Sequence, residues 1–178
     1  MSFNMVAIQT AVLALTVSTS LAGQTQPPKA EQPQTRSAAP RQSLMDSVKR
    51  SLQRLGASVD SSRSSAQMVV SNYGDARGKT TIVIVSDRAK NLLGLYIYNF
   101  GNLKQESNRE AVFQYLLNAN DAITIGAFFV DSENDIGYKY LMNIGQSLNQ
   151  ASFEASYLMM AAVARDRRPE IRKMLEKQ

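Results

Sequence analysis

Residues Thr80 to Phe100 read "TTIVIVSDRAKNLLGLYIYNF". Two runs rich in β-branched and large apolar side chains, Thr80 to Asp87 and Leu92 to Phe100, flank the polar "RAKN", the pattern of two strands joined by a turn. Several positions in both runs are apolar on either side of the alternation, which suits central strands of a sheet. The rest of the fold is read outward from this pair.

Upstream, "AQMVVSNY" (66–73) is a further strand, and the turn-rich "GDARGK" (74–79) joins it to the first run, giving a three-strand meander. Before it, "SLMDSVKRSLQRLG" (43–56) has a helical period in Leu44, Met45, Val48, Leu52 and Leu55. Ser43 with Asp46 makes a capping arrangement at its start, and Gly56 suits its end. The polar "ASVDSSRSS" (57–65) is read as the connection between helix and meander.

Downstream the period changes. "SNREAVFQYLLNAN" (107–120) pairs Ser107 with Glu110 as a capping box and places Val112, Phe113, Leu116 and Leu117 in a stripe, so a helix is predicted. "AITIGAFFV" (122–130) and "IGYKYLMNI" (136–144) are strand-like, and the closing "SFEASYLMMAAVARDRRPEIRKMLEKQ" (152–178) is helical, with Phe153, Tyr157, Met160, Ala161 and Ala164 on one face. Pro169 either opens a separate terminal turn or kinks this helix. The resulting order, α-β-β-β-α-β-β-α, predicts an α+β fold: a mainly antiparallel five-stranded sheet with helices packed on one face.

The acids of "DSEND" (131–135) raise the question of an ion site, because Asp131, Glu133 and Asp135 have the alternate spacing that opens a calcium loop. The remainder of that loop is missing: Ile136 stands where a Gly is needed and Met142 where a bidentate Glu is needed, and the flanks are β-like. A hairpin turn accounts for the stretch, with its charges discouraging edge pairing.

Composition narrows the chemistry further. The 178 residues include no Cys and no His, which removes disulfides, thiolate nucleophiles, a lipid-modified cysteine anchor, the common zinc sets and imidazole bases. No GxGxxG or GxxxxGK spacing offers a phosphate cradle. No catalytic, cofactor or metal residues are therefore assigned, and no cofactor is expected. The net charge is +5, but Lys29, Arg36 and Arg41 against Glu31 account for part of it, and Ser43 to Gln178 carries 17 Lys and Arg against 14 Asp and Glu. So small a surplus does not make a nucleic-acid surface.

Residues 1–22 hold no charged side chain, and "MVAIQTAVLALTV" (5–17) has the length of a signal-peptide apolar region, short for a membrane span. Ser20-Leu21-Ala22 supplies small residues for cleavage, placing a signal peptide at 1–22 and the protein in the periplasm or outside the cell. The alternative is an uncleaved segment anchoring it to a membrane. Residues 23–42, "GQTQPPKAEQPQTRSAAPRQ", contain four of the five prolines and almost no large apolar side chain, the composition of a disordered linker. The folded domain is then 43–178.

A helix, a meander, the helix "REAVFQYLLNAN", the hairpin "ITIGAFFVDSENDIGYKYLMNI" and a long closing helix together resemble the YbjN family over Ser43 to Gln178, most strongly from Glu110 to Ala164. The resemblance implies a sensory transduction regulator of bacteria with a fold similar to type III secretion chaperones. It supplies no catalytic set, and its cytosolic role is at odds with the export-like N-terminus.

Three functions are weighed. A non-enzymatic protein-binding or chaperone-like module, its partner unidentified or a second copy in a homodimer, would use a free sheet face. Candidates are Tyr96, Tyr98 and Phe100, and Tyr138 and Tyr140, whose i, i+2 spacing projects each set on one face. The same residues also suit a half-buried core. Met159 and Met160 suit core or dimer packing. An enzyme without His or Cys would draw on residues such as Ser86 and Lys90 of "SDRAK". Contact with anionic membrane or nucleic acid would use Arg165, Arg167, Arg168, Arg172 and Lys173, although Asp166, Glu170 and Glu176 interleave them. The first reading is the one favoured.

Overall fold

Helix α1, Leu44–Arg54, begins where Ser43 caps it: the Ser43 side chain accepts from the Asp46 N–H at 3.1 Å. It ends before Gly56, whose φ of +71° is the left-handed geometry that glycine adopts without a Cβ penalty. The computed structural model to which it belongs describes residues 43–76, 78–103, 109–145 and 147–176, all within the unit Ala39–Gln178. The signal peptide and linker expected over 1–22 and 23–42 lie outside the described residues, as does the capping residue Ser107.

Six strands follow: β1 Ser58–Asp60, β2 Met68–Asp75, β3 Gly78–Asp87, β4 Leu92–Asn102, β5 Ala127–Val130 and β6 Asp135–Asn143. Every neighbouring pair is antiparallel, in the order β1-β2-β3-β4-β6-β5. The expected five-stranded sheet is thus corrected to six. The added strand is β1, inside the stretch read as a polar connection, where Ser58, Val59 and Asp60 pair with Asn72, Ser71 and Val70. A three-residue edge strand has no room for alternation, so periodicity does not reveal it, and its polar character protects the sheet margin. Asp60 then turns the chain by accepting from the Ser62 N–H at 3.1 Å, starting a single 3-10 turn.

The second predicted helix is α2, Arg109–Ala122, and the strand after it is shorter than its apolar run: β5 starts only at Ala127. Gly126 separates the two at φ +76°, where a Cβ would stand 2.7 Å from the Lys139 carbonyl oxygen. The buried stripe of α2 is Val112, Leu116 and Ala119; Leu117, expected in it, is 63% exposed because the stripe turns with the helix instead of staying on adjacent pairs.

Helix α3, Gln150–Glu176, runs through Pro169 without a separate terminal turn and buries Phe153, Tyr157, Met160, Ala161 and Ala164, as the spacing predicts, and also Ile171. It lies across β3, β4 and β6, with α1 and α2 packed beside it, so the three helices form one layer on one sheet face. Arg54 pairs with Glu154 to join α1 to α3, and the Tyr115 hydroxyl donates to Glu170 to join α2 to α3.

The core lies between this layer and the inward side chains of the sheet: Val69, Ile82, Ile84, Leu93, Leu95, Ile97, Ile136 and Tyr138 are all fully buried. One buried polar pair crosses it, with the Ser71 and Tyr157 hydroxyl oxygens 3.0 Å apart. The Ser71 hydroxyl donates to the Ile82 carbonyl at 3.1 Å, so the Tyr157 hydroxyl is the donor to Ser71.

The acidic stretch is a hairpin turn. The Asp131 carboxylate accepts from the N–H groups of Glu133 and Asp135, each at 2.9 Å, while the Asn134 N–H donates to the Asp131 carbonyl at 3.1 Å. Asn134 takes the left-handed conformation that closes the turn, at φ +65°. An Asx turn is what these side chains build.

Candidate functional site: the sheet face away from the helices

Period-2 alternation sends every second residue of β2, β3, β4 and β6 away from the helices. Cross-strand pairing lines up Val70, Val83, Tyr96, Lys139 and Ala127 in one row of this face, and Met68, Val85, Gly94 and Leu141 in the next. The three α-helices lie on the opposite face, and Val70, beside the 3-10 turn Ser61–Arg63, is the buried end of the first row. Tyr98 is 44% exposed and Leu141 48%, whereas Val83, Val85 and Tyr96 are half-buried by their neighbours.

The aromatic side chains of this face touch one another in a chain. The Tyr96 ring folds back over Gly94, where a Cβ would come within 2.5 Å of it, and stacks beside Tyr98 with ring centres 6.3 Å apart and planes 12° from parallel. Tyr98 meets Phe129 edge-on at 5.9 Å. The Phe129 ring in turn covers Gly137, where a Cβ would lie 2.4 Å from it, and the Lys139 ammonium sits 5.2 Å from the ring centre. Each glycine leaves the space in which an aromatic ring lies over the sheet, and a side chain there would push the ring aside. The Tyr98 phenol pKa is raised, first by partial burial and then by Tyr96 and the Asp131 carboxylate, so it remains a neutral hydrogen-bond donor.

The five tyrosine and phenylalanine candidates do not come together. Tyr96 and Tyr98 share the open face. Phe100, expected beside them from its i, i+2 spacing, is fully buried on the helix side, 5.1 Å edge-on from Phe128 and 5.3 Å beneath the Arg168 guanidinium. The reason is a bulge: Ile97 pairs with Tyr138 and Gly101 with Ile136, so Tyr98, Asn99 and Phe100 oppose Gly137 alone. Asn99 at φ +73° makes the bend, and Arg172 holds it by donating to the Asn99 carbonyl at 3.3 Å. Asn99 and Gly101 within a strand run are the signal for this bulge.

Tyr138 and Tyr140 face the helices. Tyr138 is fully buried, donates to the Ile125 carbonyl and has its pKa pushed up to about 12 by burial; Tyr140 is half-buried against the core. Phe129, Lys139 and Leu141 take the places these residues were expected to fill. Phe129 was readable in principle, as the partner of Gly137 across the "DSEND" hairpin.

The remaining candidates are dispersed. Ser86 turns its hydroxyl into the interior, whereas Lys90 sits exposed in the β3–β4 turn and pairs with Asp87 at 3.4 Å. At the basic end of α3, Arg165 binds Asp166 at 2.8 Å and Asp75 at 3.4 Å, Arg167 binds Glu170 at 3.1 Å, and Arg172 is engaged at the bulge. Met160 is buried and Met159 exposed. Among the described residues no helix is long and apolar enough to cross a membrane, and no three Asp or Glu side chains group as metal ligands.

No curated protein matches the sequence. A family model described as "YbjN: Putative bacterial sensory transduction regulator" matches residues 45–171, from the first turn of α1 to the last turns of α3, and the chain belongs to the YbjN family.

Proposed function

We propose that this protein is a non-enzymatic regulatory module that acts in a chaperone-like way, holding an apolar segment of a partner protein on the open sheet face. The observation that carries the reading is the connected patch of Tyr96, Tyr98 and Phe129, left without a helix over it while the opposite face is closed by three. Aromatic side chains of this kind bring large contact area with little rotamer freedom to lose, and Tyr adds a donor, which is why they serve as anchors at interfaces. The Lys139 cation lies over Phe129, beside an otherwise apolar aromatic surface. Membership of a family described as regulators supports a non-enzymatic role. The apolar Met5 to Val17 segment and Ser20-Leu21-Ala22 support action after export, in the periplasm or beyond.

The test is photo-crosslinking in intact cells, with a benzophenone side chain placed at Tyr98 and, as control, at Leu117 on the helix layer. A discrete adduct from position 98, absent from position 117 and abolished by Tyr96→Asp, is expected. An adduct of twice the chain's mass would make the occupant a second copy. Equal adducts from both positions, or none from 98, would overturn the reading.

A further inference from the structure

At one end of the helix layer, strands β2 and β3 and the Ala164–Pro169 stretch of α3 border a half-open cavity of about 160 Å³. Tyr73, Lys79, Thr80, Arg165 and Arg168 line it, with Asp75 at its edge. Its charges are unbalanced. Arg165 is satisfied by Asp75 and Asp166, but Lys79 and Arg168 make no ion pair or hydrogen bond with any described residue. The Nε–H of Arg168 is shut off from water with no acceptor, and the guanidinium rests 5.3 Å from the Phe100 ring centre.

Arg168 is half-buried, and a guanidinium whose Nε–H is cut off from both water and an acceptor is left short of a partner, which stacking on one ring offsets only in part. Burial, with Arg172 nearby, lowers the Arg168 pKa, the response of a cation short of a counter-charge. Thr80, 6% exposed, adds a hydroxyl, and Pro169 has no N–H to give the Arg165 carbonyl. Lys79, Arg165 and Arg168 stand against the two carboxylates that Arg165 engages, so cations outnumber carboxylates at this cavity and an anion of matching size suits it. A planar guanidinium and a lysine ammonium are the pair that suits phosphate oxygens.

We infer that this cavity binds a phosphate group, as free phosphate or as a small phosphate monoester, between Lys79 and Arg168. The site lies on the helix side of the sheet, away from the open face, and does not depend on the function proposed for that face.

The experiment is calorimetric titration of the full chain with inorganic phosphate and, separately, glycerol 3-phosphate, in sodium chloride of matched ionic strength. Binding with one site per chain is expected, weakened about tenfold by Lys79→Ala, the loss of one charge-assisted contact. Arg168→Met, which keeps an apolar stem over Phe100, is expected to abolish it. Amide shifts at Lys79 and Thr80 in the NMR spectrum locate the ligand. Binding of both probes assigns the site to a monoester, and binding of phosphate alone assigns it to the free ion. Heat no different from the chloride control, or binding unchanged in Lys79→Ala, overturns the inference; the exposed position of Lys79 lets that variant fold even where Arg168→Met does not.

Discussion

The two faces of the β3–β4 hairpin arise from one alternation but reach different ends. On the helix side, Ile82, Ile84, Leu93, Leu95 and Ile97 are fully buried beneath α3, and one buried polar pair, Ser71 with Tyr157, shares the space, while the Ser86 hydroxyl there has no partner. On the other side, Val83, Val85, Tyr96 and Tyr98 touch only each other and neighbouring strands, and two glycines hold open the room for aromatic rings. The closed face is a packed core, whereas the open one presents aromatic rings that no α-helix covers, the surface on which the proposed contact rests.

The bulge in β4 gives the sharpest way to break this contrast, because it puts two neighbouring aromatic residues on opposite sides. Phe100→Ala removes a ring packed on Phe128 and Arg168 and is expected to cost about 4 kcal/mol of unfolding free energy. Tyr98→Ala is expected to cost about 1 kcal/mol or less. Urea denaturation of both variants checks the pair; comparable losses would mean that the two faces contribute equally to the core.

Alkaline pH probes chiefly the closed face, where the two phenols raised to about 12 lie. Burial raises the phenol pKa of both Tyr138 and Tyr157 to about 12, so each folded phenol keeps its proton where the unfolded one, near 10, loses it. The stabilisation is complete below pH 10 and is lost as pH rises toward 12, on the order of 2 kcal/mol for each tyrosine. Tyr157→Phe is expected to be less stable than the parent near neutral pH by about 1 kcal/mol, from the lost hydrogen bond to Ser71, yet to lose less between pH 10 and 12. Denaturant midpoints across that range decide it. An unchanged pH slope in Tyr157→Phe would show that this phenol titrates freely in the folded state.

How much of this could be read from the chain depends on whether periodicity or backbone geometry decides a position. The helix stripe of Met45, Val48 and Leu52, the inward face of α3 and the "DSEND" hairpin are set by side-chain patterns, and all were legible. Strand β1 was not, because three residues are too few to show a period. Of the residues proposed from the sequence for one sheet face, Tyr96 and Tyr98 do share the open one, but Phe100 lies on the other because i, i+2 spacing holds only where no residue is inserted. Asn99 and Gly101 carried that warning. Phe129 and Lys139 were missed because their place beside Tyr98 depends on which strand neighbours β4, and strand order is a long-range property that local patterns do not encode.

Gly101 offers the next sharpening of the comparison. Its φ of +150° lies where L side chains rarely go, and a Cβ there would stand 2.1 Å from Leu175 Cδ1 on α3. Gly101→Ala is expected to destabilise by about 2 kcal/mol. In a Leu175→Ala background the added cost should fall but not vanish, since the clash is relieved and the backbone strain is not. Complete relief would assign the whole effect to packing; none would assign it to the bulge geometry.

The smallest effect tests the open face by the absence of one. Lys139 is exposed, sits over Phe129 and forms no ion pair among the described residues, so its contribution to folding is the weak attraction between an exposed cation and a ring, about 0.5 kcal/mol. Lys139→Met keeps the aliphatic stem that shields the ring and should shift the thermal midpoint hardly at all. If the face holds an apolar partner segment, losing this charge should leave crosslinking from position 98 intact, or strengthen it, across a salt titration. If crosslinking instead falls with Lys139→Met and with added salt, the partner is being recognised through its charge, and the aromatic rings are the setting for that lysine and not the anchor.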